Sequence, residues 1–262
     1  TIIYDEYNNQ VKVPAGFKLA EDSGKDVTKG IVIEDANAED NNTKGNQYVW
    51  IPLGKVYKNE QKDYEEIELG RYTFANNGIE KIEQSAENYT KVISIEDYYQ
   101  ELITSNYGNQ VAKNLEDFIT KAKQSKGYYI GRYEVGDADA TEARQFELDT
   151  SNTEAIPVIK KDKWPYTFVS TIDAATLAKS LYSENSSIES DLVNSYAWDT
   201  AIVFIQKFSG DIDYSQQNML QNELTTTGNA HDEENNYDVR CNIYDMAGNT
   251  RESTTETYTD TK

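Results

Sequence analysis

The stretch GYYIGRYEVG, residues 127–136, is an apolar and aromatic run with a glycine at each end. Aromatic and β-branched residues favour strands and glycines mark strand ends, so this stretch is predicted to form a β-strand. Immediately before it, residues 111–122 place apolar side chains three and four positions apart, which is the spacing of an amphipathic helix. A helix that leads directly into a strand predicts a mixed α+β fold.

Further from this strand, three more helices are predicted. On its N-terminal side, Ser94 and Asp97 have the spacing of a capping box. On its C-terminal side, Ser170 and Asp173 are predicted to cap one helix, and another helix begins near Ser195. The apolar residues expected to pack into the core from these two later helices are Ala174, Leu177, Ala178 and Leu181, and Trp198, Ala201, Ile202, Ile205 and Phe208.

Short strand patterns dominate the N-terminal part of the chain. Residues 1–20 predict two strands around an Asn-Asn turn, and residues 30–35 and 47–54 predict one strand each. An acidic, Asn-rich loop separates the last two strands. We therefore divide the chain into an N-terminal β-rich extension at residues 1–46 and a main domain at residues 47–262, which we expect to be one compact unit.

The formal net charge of the chain is −21, from 46 acidic and 25 basic residues. Such a surface repels the phosphates of nucleic acids and the headgroups of anionic lipids, so neither class is expected as a partner. No apolar run approaches the roughly 20 residues that a membrane-spanning helix needs. Cations, basic proteins and neutral glycans suit the charge better, although solubility alone would also explain it.

Tyrosine is unusually frequent, with 20 copies against 7 of phenylalanine. Its ring is apolar and its tip is polar, a combination that is favoured on binding surfaces. The chain also begins at Thr1 without a methionine, which suggests a processed protein or an excised part of a longer one. These two features predict an extracellular or cell-surface location.

One cysteine, Cys241, and one histidine, His231, are present, so this sequence offers neither an intrachain disulfide nor a zinc site. Cys241 is predicted to be a small buried residue beside a strand, and His231 an exposed residue in an acidic loop. Among the tryptophans, Trp50 and Trp198 are expected in the core. Trp164, which precedes a proline, is the best candidate for a surface aromatic.

Four segments occur in an order that resembles a known family. GYYIGRYEVG is followed by WPYTFVSTIDAATLAKSLY (164–182), by SYAWDTAIVFI (195–205) and by NIYDMAGNTRES (242–253). Over roughly residues 11–253 the chain resembles the formylglycine-generating enzyme, or sulfatase-modifying factor, family, and most closely its non-catalytic bacterial surface members. The resemblance implies a C-type-lectin-like fold with short helices, small antiparallel sheets and long loops.

The last of these segments resembles a calcium-binding loop of the family. Carried over position by position, the resemblance implies side-chain oxygens from Asp245 and Glu252 and backbone carbonyls from Gly248 and Thr250. Calcium takes six to eight oxygen ligands, including carbonyls of tight turns, and these residue types agree with that preference. The alternative is a plain turn with solvated acids, because the two tryptophans that flank the glutamate in the family are absent.

Catalysis in the family needs two reactive cysteines in a last segment, whereas the one cysteine of this sequence precedes the calcium-like loop. Oxidation through thiols needs thiolates as soft ligands, so we expect no enzyme activity and no catalytic residues. The last core strand of the family is also missing after residue 253. Either the chain is shortened, or other residues fill the gap, or an extended segment of a partner completes the sheet.

These observations predict a non-catalytic extracellular protein that displays a C-type-lectin-like domain and binds a protein or glycan ligand. The loops at residues 137–155 and 209–240 are the expected contact surface, because long polar loops in compact domains are often functional. A second function remains open, as a structural subunit of a homo-oligomeric extracellular filament or pilus-like appendage. A formylglycine-generating oxidase is the third function, and the cysteine count opposes it.

Overall fold

The computed structural model has a mixed α+β fold with three α-helices and several small antiparallel sheets among the residues it describes. The α+β prediction is therefore confirmed. The described residues are 1–37, 42–75, 78–82, 93–94, 115–144, 152–184, 188–216, 224–231, 236–250, 254 and 256–257.

The elements are short, and long connections separate many of them. The strands are β1 (Ile2–Tyr4), β2 (Gln10–Lys12), β3 (Phe17–Leu19), β4 (Val32–Asp35), β5 (Gln47–Pro52), β6 (Gly54–Tyr57), β7 (Tyr64–Ile67), β8 (Arg71–Ala75), β9 (Gly78–Ile82), β10 (Ile93–Ser94), β11 (Gly127–Gly131), β12 (Gly136–Asp137), β13 (Pro157–Val158), β14 (Trp164–Pro165), β15 (Val239–Arg240), β16 (Ile243–Tyr244) and β17 (Glu256–Thr257). The helices are α1 (Leu115–Ser125), α2 (Thr171–Ser180) and α3 (Ser195–Phe208), with 3-10 turns at Val27–Lys29 and Tyr214–Gln216.

The largest sheet is antiparallel and four-stranded, in the order β11-β5-β4-β3. Its two inner strands are rich in β-branched residues, and Val32, Val49 and Ile51 are fully buried in the core. The sheet begins with β11, whose register runs from Gly127 opposite Pro52 to Gly131 opposite Tyr48. The predicted strand at 127–136 is thus divided into β11 and the two-residue strand β12.

Smaller sheets surround the central one. Strand β12 lies between β13 and β14, while β1 pairs with β2, β6 with β7, β8 with β9 and β15 with β16. Near the C-terminus, β17 pairs with β10, which places Ser94 opposite Glu256. Ser94 is therefore the last residue of a strand, and Asp97 and the helix that the two residues were predicted to cap lie outside the described residues.

Helix α3 packs mainly against β7, β8 and the 3-10 turn at Tyr214–Gln216, and it supplies much of the core. Its N-cap, Asn194, accepts a hydrogen bond from the backbone N–H of Ala197 at 2.9 Å, which satisfies one free donor of the first turn. Ala201 and Ile205 are fully buried, as the apolar pattern predicts, and Phe204, which was not predicted, is buried with them. Trp198 and Phe208, which were also expected in the core, are half-buried. The helix is tied to β11 by the Tyr128 hydroxyl, which donates to the carbonyl of Ala197 at 2.6 Å.

Helix α2 begins where the sequence predicts. The hydroxyl of Ser170 accepts a hydrogen bond from the backbone N–H of Asp173 at 3.1 Å, so the predicted cap is confirmed. The apolar face of α2 behaves differently from that of α3, because Leu177 and Leu181 are only half-buried. Helix α1 is described from Leu115 onward, and the expected helix residue Val111 lies outside the described residues.

Residues 1–46, predicted as an extension, contribute β3 and β4 to the central sheet. Strand β4 pairs directly with β5, so the boundary proposed between residues 46 and 47 falls inside this sheet. Val11, Val27 and Ile31 share one hydrophobic core with α3. No helix in the described ranges has the length and apolar composition needed to cross a membrane.

Candidate binding site

The loop predicted to bind calcium follows the β15–β16 hairpin. Cys241 and Asn242 connect these strands with φ angles of 49° and 62°, the left-handed pair that a two-residue hairpin turn of type I′ requires. The side-chain amide of Asn242 donates to the carbonyls of Lys29 at 3.1 Å and Gly30 at 2.8 Å. The hairpin is thereby fixed against the N-terminal part of the chain.

Asp245 is fully buried at the start of this loop. Its carboxylate accepts hydrogen bonds from the backbone N–H groups of Gly228 and of Ala230, the latter at 3.2 Å. Burial raises the pKa of Asp245 to about 6, the two backbone hydrogen bonds oppose this rise, and the nearby carboxylate of Asp238 adds to it. The carboxylate therefore joins the loop to residues 228–230.

Glu134 holds the other end of the loop. Its carboxylate accepts hydrogen bonds from the backbone N–H of Thr250 at 2.9 Å, from the Thr250 hydroxyl, and from the side-chain amide of Asn249 at 2.5 Å. Burial raises the pKa of Glu134 to about 7, against the effect of the Thr250 hydrogen bond. Sequence reasoning missed this residue, although a carboxylate inside a glycine-bounded aromatic run is an available signal.

A third carboxylate, Asp238, lies beneath the loop and is fully buried. It accepts hydrogen bonds from the Tyr214 hydroxyl at 2.8 Å and from the backbone N–H of Ala247 at 2.7 Å. Burial raises its pKa. In Asp245, Glu134 and Asp238 alike, burial favours the neutral acid and the hydrogen-bond donors favour the anion. The three carboxylates together determine the path of residues 245–250.

The four predicted calcium ligands have different surroundings in the structure. Both oxygens of Asp245 already accept backbone hydrogens, so a cation would compete with those donors. The backbone N–H of Gly248 donates to the carbonyl of Asp245 at 3.3 Å, and Thr250 donates to Glu134. Glu252 lies outside the described residues. No group of three or more acidic, His or Cys side chains suited to a metal occurs in the described part of the chain, and calcium stays a prediction.

Arg132 is a buried cation that sequence reasoning also missed. Its side chain is 2% exposed, and its guanidinium donates to the carboxylate of Asp22 through both terminal nitrogens, at 2.8 and 2.9 Å. The same group donates to Gln47 at 2.8 Å, and its centre lies 5.4 Å from the rings of Tyr133 and Tyr244. Arg132 therefore connects β5, the N-terminal segment and the C-terminal hairpin.

Cys241 and His231 have ordinary structural environments. Cys241 is half-buried in the hairpin turn, and burial raises the pKa of its thiol to about 12. A thiol with such a pKa is almost wholly protonated at neutral pH and is a poor nucleophile or metal ligand. The ring of His231 lies against that of Tyr237, with 6.1 Å between their centres.

A groove of about 700 Å³ lies beside β11, and we call it the β11 groove. All five residues of β11 line it, together with residues from α1, α2, the 188–194 segment and the start of α3. Its half-buried apolar residues include Leu177 and Leu181, which explains why the apolar face of α2 is not closed into the core. Ligand sites commonly have this volume and an apolar, aromatic lining.

Aromatic side chains form the walls of the β11 groove. Phe17, Tyr48 and Tyr182 pack together with ring centres 5.7 to 6.1 Å apart, and the Tyr48 and Tyr182 hydroxyls are 3.3 Å apart. Burial raises the pKa of Tyr182 to about 12, so its hydroxyl is neutral at physiological pH. Trp50 and Trp198 also line the groove. These rings offer apolar faces and hydroxyl groups to a ligand.

The groove does not coincide with the loops predicted as the contact surface. No residue of 137–155 or 209–240 lines it among those that the structure describes. Parts of the second loop are packed inside the protein, since Tyr214 and Thr227 are almost fully buried. Trp164, the expected surface aromatic, is half-buried in β14 and away from the groove lining.

The β11 groove is thus suited to reversible binding of an apolar or amphipathic ligand, with aromatic walls and both acidic and basic side chains in its lining. Comparisons of the chain with protein-family models, with curated proteins and with solved structures found no match.

Proposed function

We propose that this chain is a non-catalytic extracellular binding module that takes a protein or glycan ligand in the β11 groove. The observation that carries the proposal is the groove itself, about 700 Å³ in volume and walled by aromatic side chains. Stacking on such rings suits both apolar peptide side chains and the C–H faces of neutral sugars. The 20 tyrosines of the chain agree with a role in recognition.

The absence of catalysis is part of the proposal. The formylglycine chemistry of the resembled family needs paired thiolates, and this sequence has one cysteine. The thiol of Cys241 is half-buried with its pKa raised to about 12, which supports a structural role. An assay for conversion of a peptide cysteine to an aldehyde, with copper supplied, is expected to give no product.

A C-type-lectin-like scaffold is also proposed for the module. Small antiparallel sheets, short helices and long connections between them support this assignment. So does the order of the segments at β11, α2, α3 and the 242–250 loop, which is the order of the resembled family. Because one scaffold serves many functions, the ligand is argued from the groove and not from the fold.

The proposal is tested by titrating the protein with neutral hexose oligosaccharides and with short apolar peptides while tryptophan emission is recorded. Trp198 lines the groove and Trp164 does not, although both are half-buried. We expect a saturable change with at least one probe, which Trp198→Phe reduces and Trp164→Phe leaves intact. The proposal fails if no probe saturates, or if both variants behave alike.

A structural subunit of an extracellular filament is the second candidate function. It is favoured by the β1–β2 hairpin, on which Ile2 and Tyr4 are 52% and 60% exposed. Apolar side chains on an exposed hairpin can pack against another copy. Sedimentation and electron microscopy at rising protein concentration test this function, and a chain that remains monomeric at every concentration contradicts it.

A further inference from the structure

The backbone of β11 has two edges, and one of them faces β5. The backbone N–H of Arg132 donates to the carbonyl of Gln47 at 3.0 Å, and that of Leu53 donates to the carbonyl of Lys126 at 2.9 Å. In an antiparallel pair, hydrogen-bonded and non-hydrogen-bonded residue pairs alternate along the strands. The even-numbered residues of this stretch therefore direct their backbone groups toward β5.

The odd-numbered residues, Gly127, Tyr129 and Gly131, direct their N–H and C=O groups away from β5. Trp50 of β5 lies opposite Tyr129 and agrees with this alternation. Its backbone N–H donates to the carbonyl of Ile31, on the side of β5 that faces away from β11. Within the described ranges β11 pairs with β5 alone, and on the side away from β5 these three residues have no backbone hydrogen-bond partner. An unpaired strand edge of this kind is a template for another strand.

The β11 groove runs along this open edge. Successive side chains of a strand point to opposite faces, so a groove lined by all five residues of β11 lies across both faces. On one face Tyr128 packs against Phe118, with ring centres 5.4 Å apart, and on the other Tyr129 packs against Trp50 at 5.0 Å. A sheet with room for one more strand at its edge has a groove of this shape.

A buried donor in the groove lining lacks an acceptor. The indole Nε1 of Trp50 has no hydrogen-bond partner in the described part of the chain, although the side chain is 1% exposed. Buried donors are usually satisfied, so this one points to a ligand that brings an acceptor. The carbonyl groups of an extended peptide, or their side-chain oxygens, supply such acceptors at regular intervals.

The charges around the groove favour a basic occupant. Of its two lysines, Lys121 is already ion-paired with Asp117 at 2.8 Å and with Glu189 at 2.7 Å. Four acidic side chains contribute to the lining, and the whole chain carries −21 charges. A second copy of this acidic chain would meet repulsion that a cationic segment does not. The acidic side chains of the lining are Asp117, Glu134, Glu189 and Asp191.

We infer that the open edge of β11 accepts an extended peptide segment of a partner protein as a fifth strand of the central sheet. The segment has an apolar side chain at every second position, so these side chains enter the groove on one face of the sheet, and it has basic residues at its ends. This inference rests on the proposed function and specifies its ligand class.

The inference is tested with the peptide Lys-Val-Thr-Val-Thr-Val-Lys, acetylated and amidated. Binding is followed by tryptophan emission and by amide hydrogen exchange at Tyr129 and Gly131. We expect both amides to exchange freely in the protein alone and at least about tenfold more slowly with saturating peptide. The same peptide with every internal nitrogen methylated keeps its side chains but cannot donate to the edge, and it should not bind. A version with Glu at both ends should bind about tenfold more weakly.

The hydrogen exchange of these amides also distinguishes two other occupants of the edge, a segment of the same chain and a second copy of it. Amides that are already protected in the dilute protein mean that this chain covers its own edge, and protection that grows with protein concentration means that a second copy does. Either result overturns the inference, as does equal binding of the methylated peptide. If an oligosaccharide binds and the peptide does not, strand addition fails while the proposed function stands. If neither binds, both fail.

Discussion

Arg132 and Asp22 form a bidentate ion pair although 110 residues separate them in the sequence. The two partners differ sharply in environment, because the Arg132 side chain is 2% exposed and that of Asp22 is 66% exposed. The solvent-exposed carboxylate thus neutralises a cation whose centre lies 5.4 Å from the ring centres of both Tyr133 and Tyr244. A buried charge that loses its partner is costly, whereas an exposed one is easily hydrated.

The first prediction concerns the stability that this ion pair provides. Asp22→Ala leaves the guanidinium of Arg132 inside the protein without its anionic partner, and Gln47 and Asn242 remain as neutral acceptors. We expect a loss of about 2 kcal/mol in the free energy of unfolding, less than for a fully buried pair because water reaches Asp22. Urea denaturation measures it.

Lys18 and Glu34 provide the matched control, because they form an exposed ion pair at 3.3 Å on neighbouring strands. Lys18→Ala is expected to change the free energy of unfolding by less than about 0.5 kcal/mol. Equal losses in the two variants would show that the burial of Arg132 has no energetic consequence.

The second prediction is a pH dependence of stability. The hydrogen bond from Arg132 lowers the pKa of Asp22 from its usual value of 3.8. A group whose pKa is lower in the folded state adds stability above its unfolded pKa, and this stability is lost as the pH falls through the folded pKa. The free energy of unfolding should therefore fall below about pH 4.

Asp22→Asn isolates this effect from the other acids. The raised pKa values of Asp245 and Asp238 act in the opposite sense, since their protonated forms favour the folded state. The stability difference between the wild type and Asp22→Asn is expected to shrink steadily as the pH falls toward 2. A difference that is constant from pH 6 to pH 2 would contradict the assignment.

The third prediction concerns calcium. If the loop binds the ion through Asp245, Glu252 and the carbonyls of Gly248 and Thr250, calcium should raise the melting temperature relative to chelator. At a concentration 100 times Kd, the added stability is about 2.7 kcal/mol. Glu252→Gln should abolish the shift. The control is Glu142→Gln, an exposed carboxylate elsewhere, and equal melting curves with calcium and chelator would remove the site.

The fourth prediction separates the core from the groove. Ile205 is fully buried in α3, whereas Leu177 of α2 is half-buried and lines the β11 groove. Ile205→Ala should lower the free energy of unfolding by about 2 to 5 kcal/mol, because it leaves a cavity among packed neighbours. Leu177→Ala should cost less than about 1.5 kcal/mol and should weaken ligand binding instead. Similar losses of stability would place both residues in one core.

The helices show how far local pattern predicts this fold. The cap at Ser170 and the apolar stripe of α3 could be predicted, because capping and helical periodicity depend on neighbours within one or two turns. The stripe of α2 has the same spacing, yet Leu177 and Leu181 face a groove. Periodicity identifies the residues that share a face of a helix, and it does not identify what covers that face.

The candidate sites depend on contacts that no local pattern contains. Arg132 and Glu134 lie in an aromatic run, where the sequence favours a strand and gives no reason for two buried charges. Their partners, Asp22 and Thr250, are more than 100 residues away in opposite directions along the chain. Asp245 was predicted from the resemblance, but its backbone partners at residues 228–230 come from a stretch that has no periodicity.

The pairing of β4 with β5 limits how this protein can be shortened. A fragment that starts at residue 47 would lose β4, the neighbour of β5. The two strands that remain, β11 and β5, would then both have an outer edge open to solvent. Such a fragment would be prone to intermolecular strand exchange and to precipitation during expression. Cloning, crystallisation or fusion designs should therefore retain the first 46 residues as an integral part of the folding unit.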